Sequence, residues 1–165
     1  PARTADASFQ VTSEFGPRVG GFGVPLRIES TNSFATTATF GFLGLVIEGN
    51  KVYNLTALRG PQEILTHHVL DSLSVITPLL RHIEQNKSSE QQNVSLLDVG
   101  SGGGLPGVVI AICCPYVRVT CVDTVSKKAA FIQQAAASLR LPNLQGVHAR
   151  VESLSGPFDL ICSRA

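Results

Sequence analysis

The sequence predicts an α/β fold in which about four parallel strands form a sheet covered by helices, preceded by a helical lead-in. Three observations predict it. Short apolar runs after position 93 alternate with helix-compatible stretches in the order strand, helix, strand, helix, strand, loop, strand. A glycine-rich turn follows the first run, where open α/β sheets bind nucleotides. Before position 93, apolar residues recur at three- and four-residue spacings, which indicates an amphipathic helix.

The composition limits the classes of partner that this chain can bind. The chain has 165 residues, of which 44% are hydrophobic and 15% charged, and its formal net charge is +1. A chain of this length can bury a core. Its low charge excludes a broad polybasic surface, so a nucleic acid would have to bind a few placed Lys and Arg residues. The longest apolar stretch, residues 34–47, is broken by Thr and Gly and is too short to span a membrane.

The chain divides into three predicted parts, residues 1–48, 49–93 and 94–165. The first part is rich in Ser, Thr, Gly and Ala and contains only short alternating patches such as residues 24–28, so we assign it no function. An organellar transit peptide fits it poorly, because acidic residues balance its arginines. The chain contains no Met, so we expect a processed product or a fragment.

Residues 49–93 are the predicted helical lead-in. Six apolar residues at spacings of four, four, three, four and three define one helix face: Leu65, Val69, Leu73, Ile76, Leu80 and Ile83. Pro78 should kink this helix, because proline removes a hydrogen bond and clashes with the preceding turn. The polar stretch 84–92 predicts a loop that leads into the sheet.

Four short apolar runs predict the strands of the sheet. They are residues 94–99, 117–122, 144–149 and 158–162. In this topology the second and fourth strands flank the first. Cys121 and Cys162, on those two strands, would then lie about 9.6 Å apart, which is two strand spacings. That distance is too long for a disulfide bridge, so we expect reduced core thiols.

Two helices lie between the first three strands. The first covers residues 108–113 and ends at Pro115. The second begins at a capping Ser126 and ends at residues 141–143. One face of this second helix is apolar and consists of Phe131, Ile132, Ala135 and Leu139.

The glycine-rich turn after the first strand predicts a ligand site. Glycines let the backbone turn tightly and let a ligand approach the main chain. Gly102, Gly104 and Gly107 match the G-x-G-x-x-G pattern of dinucleotide-binding turns, so a nicotinamide or flavin enzyme must be weighed. Asp98 counts against that function, because its carboxylate would repel a pyrophosphate but could hold a cationic ligand, directly or through water. With Gly100, the D-x-G-x-G-x-G pattern suits S-adenosylmethionine, which carries a sulfonium and no phosphate.

Charged residues follow the second and third strands. Asp123 ends the second strand, where a carboxylate can accept hydrogen bonds from both ribose hydroxyls of either cofactor. Glu152 is expected to close the third strand, where an acid beside a backbone N–H could meet the amino edge of an adenine. Lys127 and Lys128 begin a helix, where positive charge opposes the helix dipole. They are either phosphate contacts or solvated surface lysines.

The cysteines and histidines do not predict a metal site. The four cysteines lack the paired C-x-x-C spacing of zinc sites and the density of disulfide-stapled domains, which is typical of a reducing cytosol. His67, His68 and Asp71 lie on about one helical turn, but no third cluster supports a metal. We expect them to pack or cap a helix face against the sheet.

Six motifs, in order along the chain, resemble those of one family. From about Asn50 to Ala165 the chain resembles the bacterial guanine-N7 methyltransferases of small-subunit ribosomal RNA, the glucose-inhibited division protein B family. The matching motifs are residues 53–59, 68–73, 97–107, 123–128, 150–152 and 163–165. The resemblance implies a Rossmann-like class I methyltransferase sheet, present in part, with S-adenosyl-L-methionine as cofactor. It also implies action on 16S ribosomal RNA or the small ribosomal subunit, in the bacterial cytoplasm. We expect a monomer and no membrane partner.

The resemblance also implies roles for single residues. Gly100 and Leu105 would line the methionine and ribose side of the cofactor, and Arg164 the methyl-transfer side. Val151 and Glu152 would face the adenine. The general methyltransferase pattern adds three more cofactor-binding residues, Asp98, Gly102 and Asp123. Arg164 would neutralise a phosphate or orient the base, unless it forms a surface ion pair.

The chemistry expected on this basis needs no general base, and we assign no catalytic residue. Guanine N7 carries an in-plane lone pair, so transfer of a sulfonium methyl group needs alignment and electrostatic support. The fourth strand is followed by Ser163 and Arg164, without the Asn/Asp-Pro-Pro-aromatic run that holds an exocyclic amine. A local patch of cations would bind the RNA. Its members would be Lys127, Lys128, Arg150 and Arg164.

Two other functions stay open. Residues 1–48 do not resemble the family's N-terminal helices, and the chain stops after the fourth strand, where such methyltransferases continue with further strands and helices. We therefore also consider a truncated cofactor-binding remnant without turnover, whose last strand would be an exposed edge. The glycine turn leaves an NAD-dependent oxidoreductase as the other alternative.

Overall fold

The computed structural model describes residues 9–12, 27–30, 33–86 and 94–164. Two short strands, β1 (Phe9–Thr12) and β2 (Arg27–Ser30), pair antiparallel at the start of the chain. The predicted alternating patch at residues 24–28 lies mostly outside the described residues, and β2 begins at its fourth residue. A helical layer and a parallel sheet follow.

Helix α1 (Ser33–Tyr53) is the largest difference from the predicted elements. Six buried residues run along it: Ala35, Ala38, Thr39, Phe42, Val46 and Asn50. Their spacings of mostly three and four residues are typical of an amphipathic helix, but the Thr and Gly residues between them weaken the pattern because both have low helix propensity. The predicted boundary between residues 48 and 49 falls inside this helix.

The predicted lead-in is helical but is divided into four segments. They are α2 (Pro61–Ile64), a π-helical segment (Leu65–Leu70), α3 (Asp71–Ser74) and α4 (Ile76–Asn86). The sequence did not predict the π-helical segment. Ile64 and Val69 are both buried in the core although they are five residues apart. A spacing of five residues is that of the hydrogen bonds in a π-helix.

The kink expected at Pro78 is found as a break at Val75, between α3 and α4. The ring of a helical proline clashes with the carbonyl four residues earlier, here that of Ser74, so the break comes just before Pro78. Helix α4 continues to Asn86, whose side-chain amide donates to the His82 carbonyl at 2.8 Å. The start of the predicted loop 84–92 is therefore helical, and the rest lies outside the described residues.

The sheet confirms the predicted topology. Its strands are β3 (Val94–Val99), β4 (Val117–Asp123), β5 (Leu144–His148) and β6 (Leu160–Ser163). All pairings are parallel and the order is β5-β4-β3-β6, so the second and fourth strands of the sheet flank the first. The carboxyl ends of these strands, which are followed by the predicted site residues, therefore lie along one edge of the sheet.

Two helices, α5 (Gly107–Cys113) and α6 (Ser126–Ser138), cover the same face of this sheet. Cys121 and Gly146 are partners in register, so they point to one face. A Cβ on Gly107 would collide with Cys121, and a Cβ on Gly146 would meet α6 backbone at 2.7 Å. Both helices therefore pack directly onto that face.

Two local predictions about the sheet region are wrong. Ser126 is the first residue of α6 and not its cap, because Val125 occupies the cap position and makes no side-chain capping bond. Glu152 does not close the third strand of the sheet. Strand β5 ends at His148, and Glu152 lies in a 3₁₀ turn (Val151–Ser153), because the chain folds back when the Ser153 N–H donates to the Arg150 carbonyl at 3.0 Å.

The four cysteines are free, including Cys121 and Cys162, for which no disulfide was expected. Cys113, Cys114 and Cys121 are buried, and Cys162 is half-buried. Burial raises the pKa of Cys114 and that of Cys162 to about 12, so both thiols are protonated at neutral pH. No helix in the part of the chain that the structure describes combines the length and apolar character needed to cross a membrane.

Candidate cofactor-binding site

The glycine-rich turn between β3 and α5 folds against the neighbouring strand β4. The N–H groups of Gly100 and Ser101 both donate to the Val122 carbonyl, at 2.9 and 3.2 Å. Gly100 and Gly102 have φ values of 68° and 56°, a left-handed conformation that glycine adopts without steric cost. The sequence forms this turn because glycines occupy these two positions.

Asp123, at the end of β4, holds the turn in place. Its Oδ2 accepts a hydrogen bond from the Gly102 N–H at 2.9 Å, and its Oδ1 accepts one from the Val125 N–H at 2.8 Å. The residue is only 8% exposed. Its carboxylate therefore links the glycine turn to the start of α6. A carboxylate has about four acceptor positions, so two remain for a ligand.

Two pockets meet at Gly100. The first, of about 180 Å³, is lined by Val46, Leu55, Thr56, His68, Gly100, Ser101, Gly102, Gly103, Leu105 and Arg164. The second, of about 270 Å³, is lined by Val99, Gly100, Val122, Asp123, Thr124, Ala149, Arg150, Val151 and Glu152. We call them the arginine pocket and the acidic pocket. Seven of the eight predicted cofactor-binding residues line one or both of them.

The main chain at Gly100 is open to both pockets. A Cβ built on Gly100 would meet no atom within 4 Å, although the residue belongs to both walls. A ligand can therefore approach the main chain here. The acidic pocket offers carboxylates for hydroxyl and amino groups, and the arginine pocket offers a cation beside a glycine turn. This donor and acceptor set fits a nucleoside joined to an amino acid.

Asp98 is the predicted site residue that lines neither pocket. It is 0% exposed, and its Oδ2 accepts the Gly107 N–H at 3.0 Å, at the start of α5. The thiols of Cys162 and Cys121 approach its two oxygens at 3.6 and 3.8 Å. Burial raises the pKa of the Asp98 carboxyl. Its contact with a cationic ligand stays a prediction, whereas its contact with the start of α5 is observed.

Arg164 follows β6 and joins the lead-in helices to the arginine pocket. Its Nη1 pairs with Asp71 Oδ2 at 2.9 Å, and its Nη2 lies 3.2 Å from His68 Nδ1. The ion pair expected as the alternative role of Arg164 therefore exists, but the side chain is only 28% exposed and also lines the pocket. His68 Nε2 contacts Thr56 Oγ1 on its other side.

Sequence reasoning missed the position of His68 and Thr56. It expected His68 to pack or cap a helix face, and the structure places it in the pocket wall against Arg164. Both residues lie within stretches that carry the resemblance, and that was the available signal. Among the described residues, no group of three His, Cys, Asp or Glu side chains could hold a metal ion.

The basic residues predicted to bind RNA lie near the same edge of the sheet. Lys127 and Lys128 are in the first turn of α6, directly after β4, and Arg150 follows β5 in the wall of the acidic pocket. Lys127 and Arg150 are exposed. Arg164 follows β6, so the four cations of the predicted patch all come after the carboxyl ends of strands.

Residues 37–165 match the family model described as rRNA small subunit methyltransferase G. The match begins inside α1, earlier than the resemblance at about Asn50. The ribosomal RNA small subunit methyltransferase G of Acidovorax sp. (strain JS42) is 63% identical over 131 residues, which are 78% of this chain and 58% of the relative. That of Polaromonas sp. (strain JS666 / ATCC BAA-500) is 59% identical over 140 residues, 85% of this chain and 61% of the relative.

The chain thus spans about three fifths of the length of these curated relatives, with 58% and 61% covered in the two cases. Among solved structures, coclaurine N-methyltransferase bound to N-methylheliamine and SAH aligns with a TM-score of 0.46 and 17% identity. That alignment covers 74% of this chain and 34% of the other chain.

Proposed function

Because the chain belongs to the rRNA small subunit methyltransferase G family, we propose that it binds S-adenosylmethionine and serves methyl transfer to N7 of a guanine in small-subunit ribosomal RNA. The observation that carries the cofactor assignment is the meeting of the acidic and arginine pockets at Gly100. We place this activity in the bacterial cytoplasm and expect a monomer. Membership in this family does not favour the alternative function, that of an NAD-dependent oxidoreductase.

The adenosine part of the cofactor would occupy the acidic pocket. Asp123 retains acceptor positions for the ribose hydroxyls while it holds Gly102 and Val125. Val151 is 38% exposed and offers an apolar surface to the adenine ring, and Glu152 offers an acceptor for its amino group. The two carboxylates support this placement, because they accept hydrogen bonds from hydroxyl and amino groups, while the exposed Arg150 in the same wall is assigned to the RNA patch.

The methionine part would occupy the arginine pocket, with Gly102 and Leu105 in its wall. Bound S-adenosylmethionine supplies a methyl group on a sulfonium sulfur. The chain's residues would orient this group toward the guanine, whose N7 lone pair needs no deprotonation. Their contribution is alignment and electrostatic support rather than proton transfer.

Binding calorimetry with S-adenosylhomocysteine and with NAD tests the cofactor assignment. We expect S-adenosylhomocysteine to bind more tightly. Gly100→Ala should weaken it at least about tenfold, because a Cβ would occupy the space where the pockets meet and one lost contact of about 1.4 kcal/mol changes affinity tenfold. Gly156→Ala is the matched control, since Gly156 also has positive φ (109°) and open space but lines neither pocket. Tighter binding of NAD would contradict the proposal.

The RNA part of the proposal is tested by the salt dependence of RNA binding. Combined substitution of the four cations of the patch should flatten the slope of log affinity against log salt, because each phosphate contact releases counterions. An unchanged slope would move the RNA interface elsewhere, with the exposed Arg59 as the next residue to test. Transfer of labelled methyl groups to undermethylated small subunits then separates an active chain from one that only binds the cofactor.

A further inference from the structure

The arginine pocket contains a row of hydrogen-bonded side chains that the proposed function does not yet use. Resting on that function, we propose that His68 is a positioning residue whose neutral ring holds the Arg164 guanidinium toward the carboxylate of the cofactor's methionine part. The row runs from Thr56 through His68 to Arg164, and on to Asp71. His68, on the π-helical segment of the lead-in, therefore links Thr56 to the residue that follows β6.

The direction of the hydrogen bonds fixes the state of the His68 ring. A guanidinium can only donate, so His68 Nδ1 must accept from Arg164 Nη2 at 3.2 Å. A neutral ring that accepts at Nδ1 carries its proton on Nε2. Nε2 then donates to Thr56 Oγ1. Only the neutral ring with this tautomer satisfies both neighbours.

The far end of the row is anchored in the fold. The Thr56 N–H donates to Asn50 Oδ1 at 3.0 Å, and Asn50 Nδ2 donates to the Leu58 carbonyl at 2.8 Å. Asn50 is 4% exposed and lies on α1. The Leu58 N–H donates to Thr56 Oγ1 at 3.2 Å. Thr56 is thus a fixed acceptor, and it limits the orientations that the His68 ring can take.

The charges around His68 favour the neutral ring. Burial and the Arg164 charge lower its pKa, His67 lowers it further, and Asp71 and a backbone hydrogen bond raise it. In acid, a protonated ring would turn an N–H toward the guanidinium, and two donors would face each other. Arg164 would then lose one of the two contacts that hold it.

The carboxylate assignment follows from the charge of the cofactor. Two of the five N–H donors of the guanidinium are used by Asp71 and His68. The others are available to an anionic group in the pocket that Gly100 and Leu105 line. S-adenosylmethionine has one anionic group, the carboxylate of its amino acid part. An RNA phosphate is the other source of anionic oxygens, and the test separates the two.

The test compares S-adenosylhomocysteine with 5′-methylthioadenosine, which keeps the adenosine and the thioether but lacks the amino acid carboxylate. Calorimetry on the folded chain should show His68→Ala weakening S-adenosylhomocysteine about tenfold, the effect of one hydrogen bond to a charged group. Binding of 5′-methylthioadenosine should stay within about twofold, a difference below 0.5 kcal/mol. His68→Asn should keep most of the affinity, because its Oδ1 replaces Nδ1 as the acceptor. His67→Ala is the control for an exposed histidine on the same helix.

Three further measurements distinguish positioning from a structural role. The wild-type affinity for S-adenosylhomocysteine should fall as the pH drops through the lowered pKa of His68, while that of 5′-methylthioadenosine and that of the His68→Asn variant should not. In an Arg164→Ala background, His68→Ala should cause no further loss. Nuclear magnetic resonance should detect the Nε2-protonated tautomer of His68 and a higher pKa in the Arg164→Ala variant.

The four possible contrary results of these binding experiments lead to different conclusions. Equal affinity of the wild type and His68→Ala for S-adenosylhomocysteine would overturn this inference and leave the proposed function intact. Equal losses for the two ligands would assign His68 a structural role instead. An effect on RNA binding alone would assign the Arg164 contact to phosphate and refute the carboxylate contact. Failure of the wild-type chain to bind either ligand would refute the proposed function, and this inference with it, before any variant is compared.

Discussion

Replacement of Asp123 by Ala should loosen the glycine turn and lower the stability of the whole domain. The carboxylate accepts one N–H from Gly102 and one from Val125, at 2.9 and 2.8 Å. A hydrogen bond to a charged group contributes about 1.5–3 kcal/mol, so two bonds correspond to about 3–6 kcal/mol. Val125 is 36% exposed, so water can replace the carboxylate at its N–H. We therefore expect a loss near the lower end, about 3 kcal/mol.

A domain with about 5–15 kcal/mol of stability would remain folded after this loss. Urea unfolding followed by circular dichroism gives the change in free energy. Asp123→Asn keeps the shape and one acceptor oxygen, so it should lose about half as much. Glu152→Ala removes the exposed acid of the same pocket and should change stability by less than about 0.5 kcal/mol.

The same variants separate folding from binding. Asp123→Ala and Asp123→Asn should both weaken the binding of S-adenosylhomocysteine under conditions in which they are folded, since the ribose hydroxyls would lose the acceptor proposed for them. A stability loss below about 1 kcal/mol for Asp123→Ala would refute the reasoning, because even the single hydrogen bond to Gly102 should contribute about 1.5 kcal/mol or more. Unchanged affinity in a folded variant would remove Asp123 from the site.

Three more predictions concern the scaffold. Gly44→Ala should stabilise the chain by about 0.5–1 kcal/mol in thermal unfolding, because the position is helical and open, whereas Gly49→Ala should destabilise it because its Cβ would lie 2.7 Å from Phe131. Burial raises the pKa of the Asp98 carboxyl in the folded chain. The Asp98 side chain therefore stabilises the fold at pH values below its unfolded pKa of 3.8, and this stabilisation is lost as the pH rises through the folded pKa. The stability of the wild type minus that of Asp98→Asn should therefore fall with rising pH, and a flat difference would contradict this. Ile161, 68% exposed on a strand paired on one side only among the described residues, should promote self-association, so Ile161→Lys should reduce light scattering at high concentration.

The parts of the fold that the sequence predicted are those with strong local signals. Strand β3 and the turn after it were predicted because an apolar run ends in glycines. Strand β4 and helix α6 were predicted because apolar residues alternate in the strand and recur every three to four residues in the helix. Helix α1 was missed because its buried stripe includes Thr39 and Asn50, polar residues that a hydrophobic pattern does not count. The π-helical segment was missed because a six-residue run gives no period of its own.

The residues of the candidate site also fall into those that the sequence predicted and those that it did not. Gly100 and Asp123 were predicted because each sits at the end of a strand, a local position that the sequence indicates. The partners of Arg164 were not predicted, since His68 lies 96 positions earlier in the chain and only the tertiary fold brings the two together. The structural role of Asp98 at the start of α5 was also not visible, because it depends on a backbone N–H nine residues away.

The late position of Arg164 in the chain determines when the arginine pocket can be completed during synthesis. Arg164 meets Asp71 across 93 positions of sequence, whereas the glycine turn and Asp123 are only 21 positions apart. A ribosome adds about 5–20 residues per second, so the arginine follows its helical partners by about 5–20 seconds. The lead-in helices and the glycine turn can form in the nascent chain before then. On the proposed function, the half of the site assigned to adenosine would form first and the contact assigned to the cofactor's amino acid would form last.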